Sequence, residues 1–185
     1  MARLKKTIRN LLLIAVLLFL FMKLNGLYFS PVEALHTSER DLHYGPSEII
    51  HSFDHGKSRY FLTRYQDMIS CSPIDRFLGV FWRYGAGHGI ENKKERPLFT
   101  SYRSKEEEWL IYGIRNDPSI VRVEIEVKNA EGETEIYTSD TFYEDMFYIM
   151  WEGENDSDVL FSEIFVGLKA YDDKGTVVYD SDFPI

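Results

Sequence analysis

Two hydrophobic patterns divide the chain. From Leu11 to Met22 twelve apolar residues follow one another without a break. Beyond about residue 47 the apolar positions recur every second residue instead. The clearest case is Val121, Val123, Ile125 and Val127, alternating with Arg122, Glu124, Glu126 and Lys128. Successive strand side chains point to opposite faces, so this stretch predicts a strand with one buried and one wet face. "SEIIHSFD" (47–54) and "RYFLTRYQ" (59–66) predict a hairpin turning at Gly56. "IDRFLGVFWRYG" (74–85) predicts a buried strand, and 85–97 a polar loop. Further strands are expected at 97–104, 107–117, 133–140 and 141–153. A closing hairpin over 162–182 turns at Asp173-Lys174-Gly175. No strand–helix alternation occurs, which excludes a doubly wound fold. Strands of these lengths at this spacing predict a mainly β protein, an antiparallel, Ig-like β-sandwich over 47–185.

The N-terminal run predicts a helix that meets a membrane. Leu11 to Phe29 is 19 residues; at about 1.5 Å per residue that nearly matches a hydrocarbon core of roughly 30 Å. Residues 1–10 are basic (Arg3, Lys5, Lys6 and Arg9), and no acidic residue precedes Glu33. The positive-inside rule then leaves the N-terminus in the cytoplasm and sends the rest across. A cleaved signal needs small residues close behind its apolar core. The nearest such site ends at Ala34, twelve residues after Met22, and Cys71 is the sole cysteine, which excludes a lipobox. The spacing favours a single-pass signal-anchor over 11–29. Residues 30–46, polar and bounded near both ends by proline, read as a stalk.

Charge sharpens this picture. After residue 29 the chain carries 16 basic and 30 acidic residues, a net charge near −14. Such a surface repels nucleic acid and anionic head groups. One cysteine excludes an internal disulfide, and Cys71 reads as a small buried residue.

Several clusters carry the residue types of binding sites. His51, Asp54 and His55 include two imidazoles and a carboxylate, which suit zinc. Glu152, Glu154, Asp156, Asp158 and Glu163 imitate the spacing of a calcium loop. That loop departs from the pattern with Glu at its first position and Ser157 at its sixth, where the sharp turn wants glycine. Tyr102, Trp109 and Tyr143 are candidate interaction aromatics. No nucleophile elbow, zinc-protease helix or catalytic-cysteine context occurs.

"EEWLIYGIRNDPSIVRVEIEV" and "VGLKAYDDKGTVVYDS" resemble a pattern in small exported proteins of Gram-positive spore-formers. The matching residues are Gly113, Ile114, Asn116, Asp117, Ile120, Val123, Ile125, Tyr171, Asp172, Gly175 and Val177. Proteins of that kind are mostly of unknown function and are held by a lipid or one span. The resemblance implies a tethered β-sandwich and transfers no catalytic residue. The resulting expectation is a membrane-tethered, extracytoplasmic, non-catalytic interaction or accessory domain with a protein or envelope partner. The alternative is a ligand or calcium sensor, and an envelope enzyme ranks below both.

Overall fold

The computed structural model describes residues 2–85, 87, 89–105, 108–153 and 160–182. They form two compact units, the first within the bounds 1–65 and 71–88, the second within 66–70 and 89–185.

The first unit opens with α1 (Ala2–Leu24). Its Leu4–Leu24 stretch is long and apolar enough to cross a membrane and is almost wholly uncovered by protein, a character that signal sequences share. The helix stops five residues before the expected end of the span. Gly26 takes φ +61°, Leu27 N–H donates to the Met22 carbonyl at 2.9 Å, and Gly26 N–H to that of Lys23 at 3.3 Å. This is a Schellman cap, which glycine permits because it has no Cβ. Tyr28 is therefore not in the helix: it exchanges two backbone hydrogen bonds with Trp82, at 2.9 and 2.7 Å.

Residues 30–46, expected as a stalk, contain α2 (Pro31–Asp41). Ser30 caps it, accepting from Glu33 N–H, and Pro31 occupies the first turn, where a missing N–H costs nothing. Ala34 and Leu35 pack with Tyr28, Phe61, Ile74 and Trp82. The strands β1 (Glu48–His55), β2 (Ser58–Tyr65), β3 (Met68–Phe77) and β4 (Phe81–Tyr84) follow as an antiparallel meander. The expected single strand at 74–85 is a hairpin, because Leu78 and Gly79 both take positive φ and reverse the chain.

The second unit begins where β5 (Ile90–Glu91) pairs with Met68 and Ile69. A three-stranded sheet then forms in the order β10-β7-β6, from β6 (Leu98–Lys105), β7 (Glu108–Arg115) and β10 (Met146–Glu152). A four-stranded sheet runs β12-β11-β8-β9, from β8 (Arg122–Lys128), β9 (Thr134–Ser139), β11 (Phe165–Tyr171) and β12 (Val177–Ser181). One core joins their inner faces: Leu98, Ile111, Phe147 and Ile149 from the first, Val123, Ile125, Leu168 and Ala170 from the second. The chain thus crosses between sheets at β7–β8, β9–β10 and β10–β11, which makes a sandwich of the immunoglobulin kind as expected, but over 98–181 rather than 47–185, because β1–β4 pair among themselves in a sheet of their own. The one-turn helix α3 (Phe161–Ile164) leads into β11.

Candidate functional site: a tryptophan-lined pocket in the sandwich

Trp109 on β7 and Trp151 on β10 lie directly opposite each other in the strand register. Both side chains turn inward, and their rings stack at 6.4 Å with 15° between planes. Tyr137 stacks on the other indole neighbour, Trp151, at 5.8 Å. Beside this aromatic group opens a cavity of about 490 Å³, lined by Trp109, Trp151, Val127, Ile164, Gly153 and the 128–131 turn, with Glu135 and Glu152. Its size suits a small ligand, since such pockets typically span roughly 300–1,000 Å³.

The rim is held in place by its own hydrogen bonds. Asn129 Oδ1 accepts from the N–H groups of Glu131 and Glu133, at 3.1 and 2.9 Å. Asn129 Nδ2 donates to Glu135 Oε1 at 3.0 Å, and Tyr137 Oη donates to Glu135 Oε2 at 2.5 Å. These two donors, the phenol foremost, hold the Glu135 carboxyl below its ordinary range. The same bond pushes the Tyr137 phenol up to about 12. Both partners therefore keep these protonation states throughout the neutral range. Lys128, Glu131, Glu135 and Glu152 leave the rim with an excess of negative charge.

At the pocket wall one polar atom has no partner among the described residues. Trp109 is 2% exposed, and its Nε1–H has no acceptor among the described residues. Gly153 lies over this part of the ring: a Cβ built on it would come within 3.5 Å of Trp109 Cδ1 and 3.8 Å of Nε1. Buried indole N–H groups ordinarily find a partner, and an unpaired one costs about 1–3 kcal/mol.

The other expected site residues are dispersed. On β1, His51 and His55 share one strand parity and Asp54 has the other, so a period of two sends the carboxylate to the opposite face. Asp54 is instead engaged by Arg59, which donates from Nε and Nη2 at 2.6 and 2.8 Å. That pairing lowers the Asp54 pKa, and desolvation lowers that of His51, whose ring stacks on Phe53. Of the calcium-like series, Glu152 is on the pocket rim and Glu163 in α3, while Glu154, Asp156 and Asp158 lie outside the described residues. Among the described residues no three His, Cys, Asp or Glu side chains converge to hold a metal. Tyr102 stacks on Phe161 at 4.0 Å, and Tyr143 on Tyr148 at 6.1 Å. Cys71 is buried and free of any disulfide. Only Trp109 of the three expected aromatics lines the pocket.

A second cavity, of about 420 Å³, adjoins α2 in the first unit. Its buried carboxylate, Glu39, is fully occupied. Oε2 accepts from Ser47 N–H at 3.3 Å and pairs with His36 Nδ1 at 2.9 Å, and Oε1 accepts the Ser47 hydroxyl. Nearby Tyr44 bonds Thr63 at 3.3 Å, and burial pushes its phenol up to about 12. These bonds engage both Glu39 oxygens and fasten α2 to the start of β1.

No family model, curated protein or solved structure matches this chain.

Proposed function

We propose that the chain is a membrane-tethered, extracytoplasmic binding module. In this reading α1 anchors it with the N-terminus in the cytoplasm, and the sandwich captures a ligand without transforming it. The observation that carries the binding role is the stacked Trp109–Trp151 pair beside a hydrogen-bonded polar rim. With Val127 and Ile164, the edges of the two indoles give the cavity an apolar wall that suits the flat apolar face of a ligand. The unpaired Trp109 N–H calls for an acceptor, and the carboxylates of Glu131 and Glu152 call for donors. A hydroxylated or amide-bearing ring, as in an envelope saccharide, supplies all three. An alkylammonium ion offers no acceptor, which places it second. Tethering by α1 rests on its length, its apolar surface and the four basic residues at its start.

The test is a titration of the full chain in nanodiscs, read at the indole N–H resonances. The probes are a neutral amino-sugar oligomer and a tetraalkylammonium salt. Saturable shifts of the Trp109 and Trp151 signals with the saccharide, abolished by Trp151→Ala and with Trp82 unmoved, support the reading. Shifts with the ammonium salt alone would assign a cation site instead. No saturable response to either would remove the pocket as the binding site.

A further inference from the structure

The turn joining β3 to β4 presents apolar side chains to the outside. Leu78 is 76% exposed and Val80 63%. The sequence from Arg76 to Tyr84, "RFLGVFWRY", holds two arginines and no acidic residue, although the chain beyond residue 29 is strongly acidic. The tip is also firmly built. Phe77 pairs with Phe81, Val80 N–H donates to the Phe77 carbonyl at 3.4 Å, and Leu78 and Gly79 take φ 51° and 74°. Two successive positive φ angles are the requirement of a type I′ turn. A leucine rarely accepts that conformation, so an apolar side chain is held at the apex against local preference.

The position of this tip indicates what covers it. Tyr28, four residues past the end of α1, is bridged to Trp82 on β4 by two backbone hydrogen bonds. Phe29 is 67% exposed and its ring lies 5.3 Å from that of Phe81. The chain emerging from α1 and the apolar hairpin are thus joined side by side. Cations flank the apolar residues: Arg76 stacks over Trp82 at 4.8 Å, and Arg83 over Phe77 at 5.5 Å. Lys23, at the end of α1, is 5.4 Å from the Tyr28 ring. The nearby carboxylates are engaged: Asp75 by the Ser58 hydroxyl at 2.7 Å, Asp54 by Arg59, Glu33 by Lys23 at 3.7 Å and Asp41 by the Tyr84 hydroxyl. Apolar side chains ringed by Trp, Tyr and Arg are the composition of a surface that enters the boundary between head groups and acyl chains.

We infer that the β3–β4 tip, together with Phe29, enters the lipid interface of the same bilayer that α1 crosses. The first unit then has two attachments, a span and an interfacial wedge, and the wedge limits its rocking about the Gly26 cap. This rests on the tethered reading of α1, and the experiment separates the two.

The full chain carrying Cys71→Ser receives a nitroxide at one new cysteine and is reconstituted in phosphatidylcholine vesicles. The sites are Leu78→Cys and Val80→Cys at the tip, Leu17→Cys in α1 and Ile136→Cys on the exposed face of β9. Collision with oxygen, which concentrates in lipid, is compared with collision with a water-soluble nickel chelate. The expected result is an oxygen-to-nickel ratio at residues 78 and 80 severalfold above that at 136 and approaching that at 17. A ratio equal to that at 136 overturns the wedge while a high ratio at 17 keeps the span. Low collision with both reagents at the tip overturns the wedge in favour of burial against a second copy of the chain. Water-like behaviour at 17 as well as at the tip overturns both readings.

Discussion

Replacing Gly113 by alanine tests how tightly the first sheet of the sandwich is closed. Gly113 lies mid-strand in β7, opposite Thr100 of β6 and Phe147 of β10. A Cβ there would meet the Phe99 carbonyl oxygen at 2.4 Å, Thr100 Cγ2 at 2.8 Å and Phe147 Cε1 at 2.9 Å. The Phe99 oxygen cannot yield, because strands hydrogen-bonded on both sides of β7 hold it in place; the other two contacts are side-chain atoms. Overpacking of this kind costs about 1–3 kcal/mol, and contact with backbone puts it near the upper end. Losing the unfolded-state freedom of glycine returns about 0.4–1 kcal/mol, leaving a net loss of about 2 kcal/mol. For a unit of this size that is a fall in Tm of about 10 °C. The assay is thermal unfolding of the full chain followed by near-ultraviolet circular dichroism. Gly167→Ala on β11 is the control, since its Cβ would meet only Ser181 O, at 3.8 Å. There the same substitution is expected to be neutral or to stabilise by up to about 1 kcal/mol. Equal Tm values for the two variants would refute the close approach of β6, β7 and β10.

Glu39→Ala strips the acceptor from Ser47 N–H, the Ser47 hydroxyl and His36 within a buried site. A loss of about 3 kcal/mol is expected in denaturant titration, with Glu39→Gln, which keeps one acceptor oxygen, losing less. Asp172 accepts from Thr176 N–H and Lys174 N–H at 2.7 and 2.9 Å, the first being the main cause of its depressed pKa. A depressed folded pKa means that its stabilisation is complete above the ordinary aspartate value of 3.8 and is lost as pH falls through the lower folded value. Asp172→Asn should therefore flatten the acid limb of a stability-against-pH curve and leave its shape near neutrality unchanged. Trp109→Phe removes the unpaired N–H. Relief of that unpaired donor offsets the lost ring volume, so Tm changes little, and saccharide affinity is expected to fall in the nanodisc titration; unchanged affinity would remove the N–H as a ligand donor.

How much of this was legible along the chain follows from which interactions are local. The β1–β2 hairpin and β8 can be read because period-two alternation and turn glycines act within a few residues. The true end of α1 is also local, in Asn25-Gly26, although the apolar residues beyond it mimic a longer span. α2 is harder to read because its exposed face is polar; its signal is Ser30 followed three residues later by Glu33, with Pro31 between. The hairpin inside 74–85 is masked because Leu78 occupies a position where glycine or asparagine is expected. The pocket lies beyond local reading. Trp109 and Trp151 meet only because β7 and β10 pair across some forty residues, and Asn129 and Glu135 join them through a turn in the other sheet. The histidine cluster is the converse case: its members are neighbours in sequence, but the strand sends Asp54 to the face opposite His51 and His55.

In the proposed reading α1 stays as an anchor and the folded units lie outside the cell. The direct measurement is protease treatment of intact cells producing the chain with a C-terminal tag, followed by separation of membrane and medium and blotting for the tag. A full-length band in the alkali-washed membrane fraction, lost when protease is added outside, is the expected result. A shorter tagged band free in the medium, or a full-length band that external protease cannot reach, would contradict it.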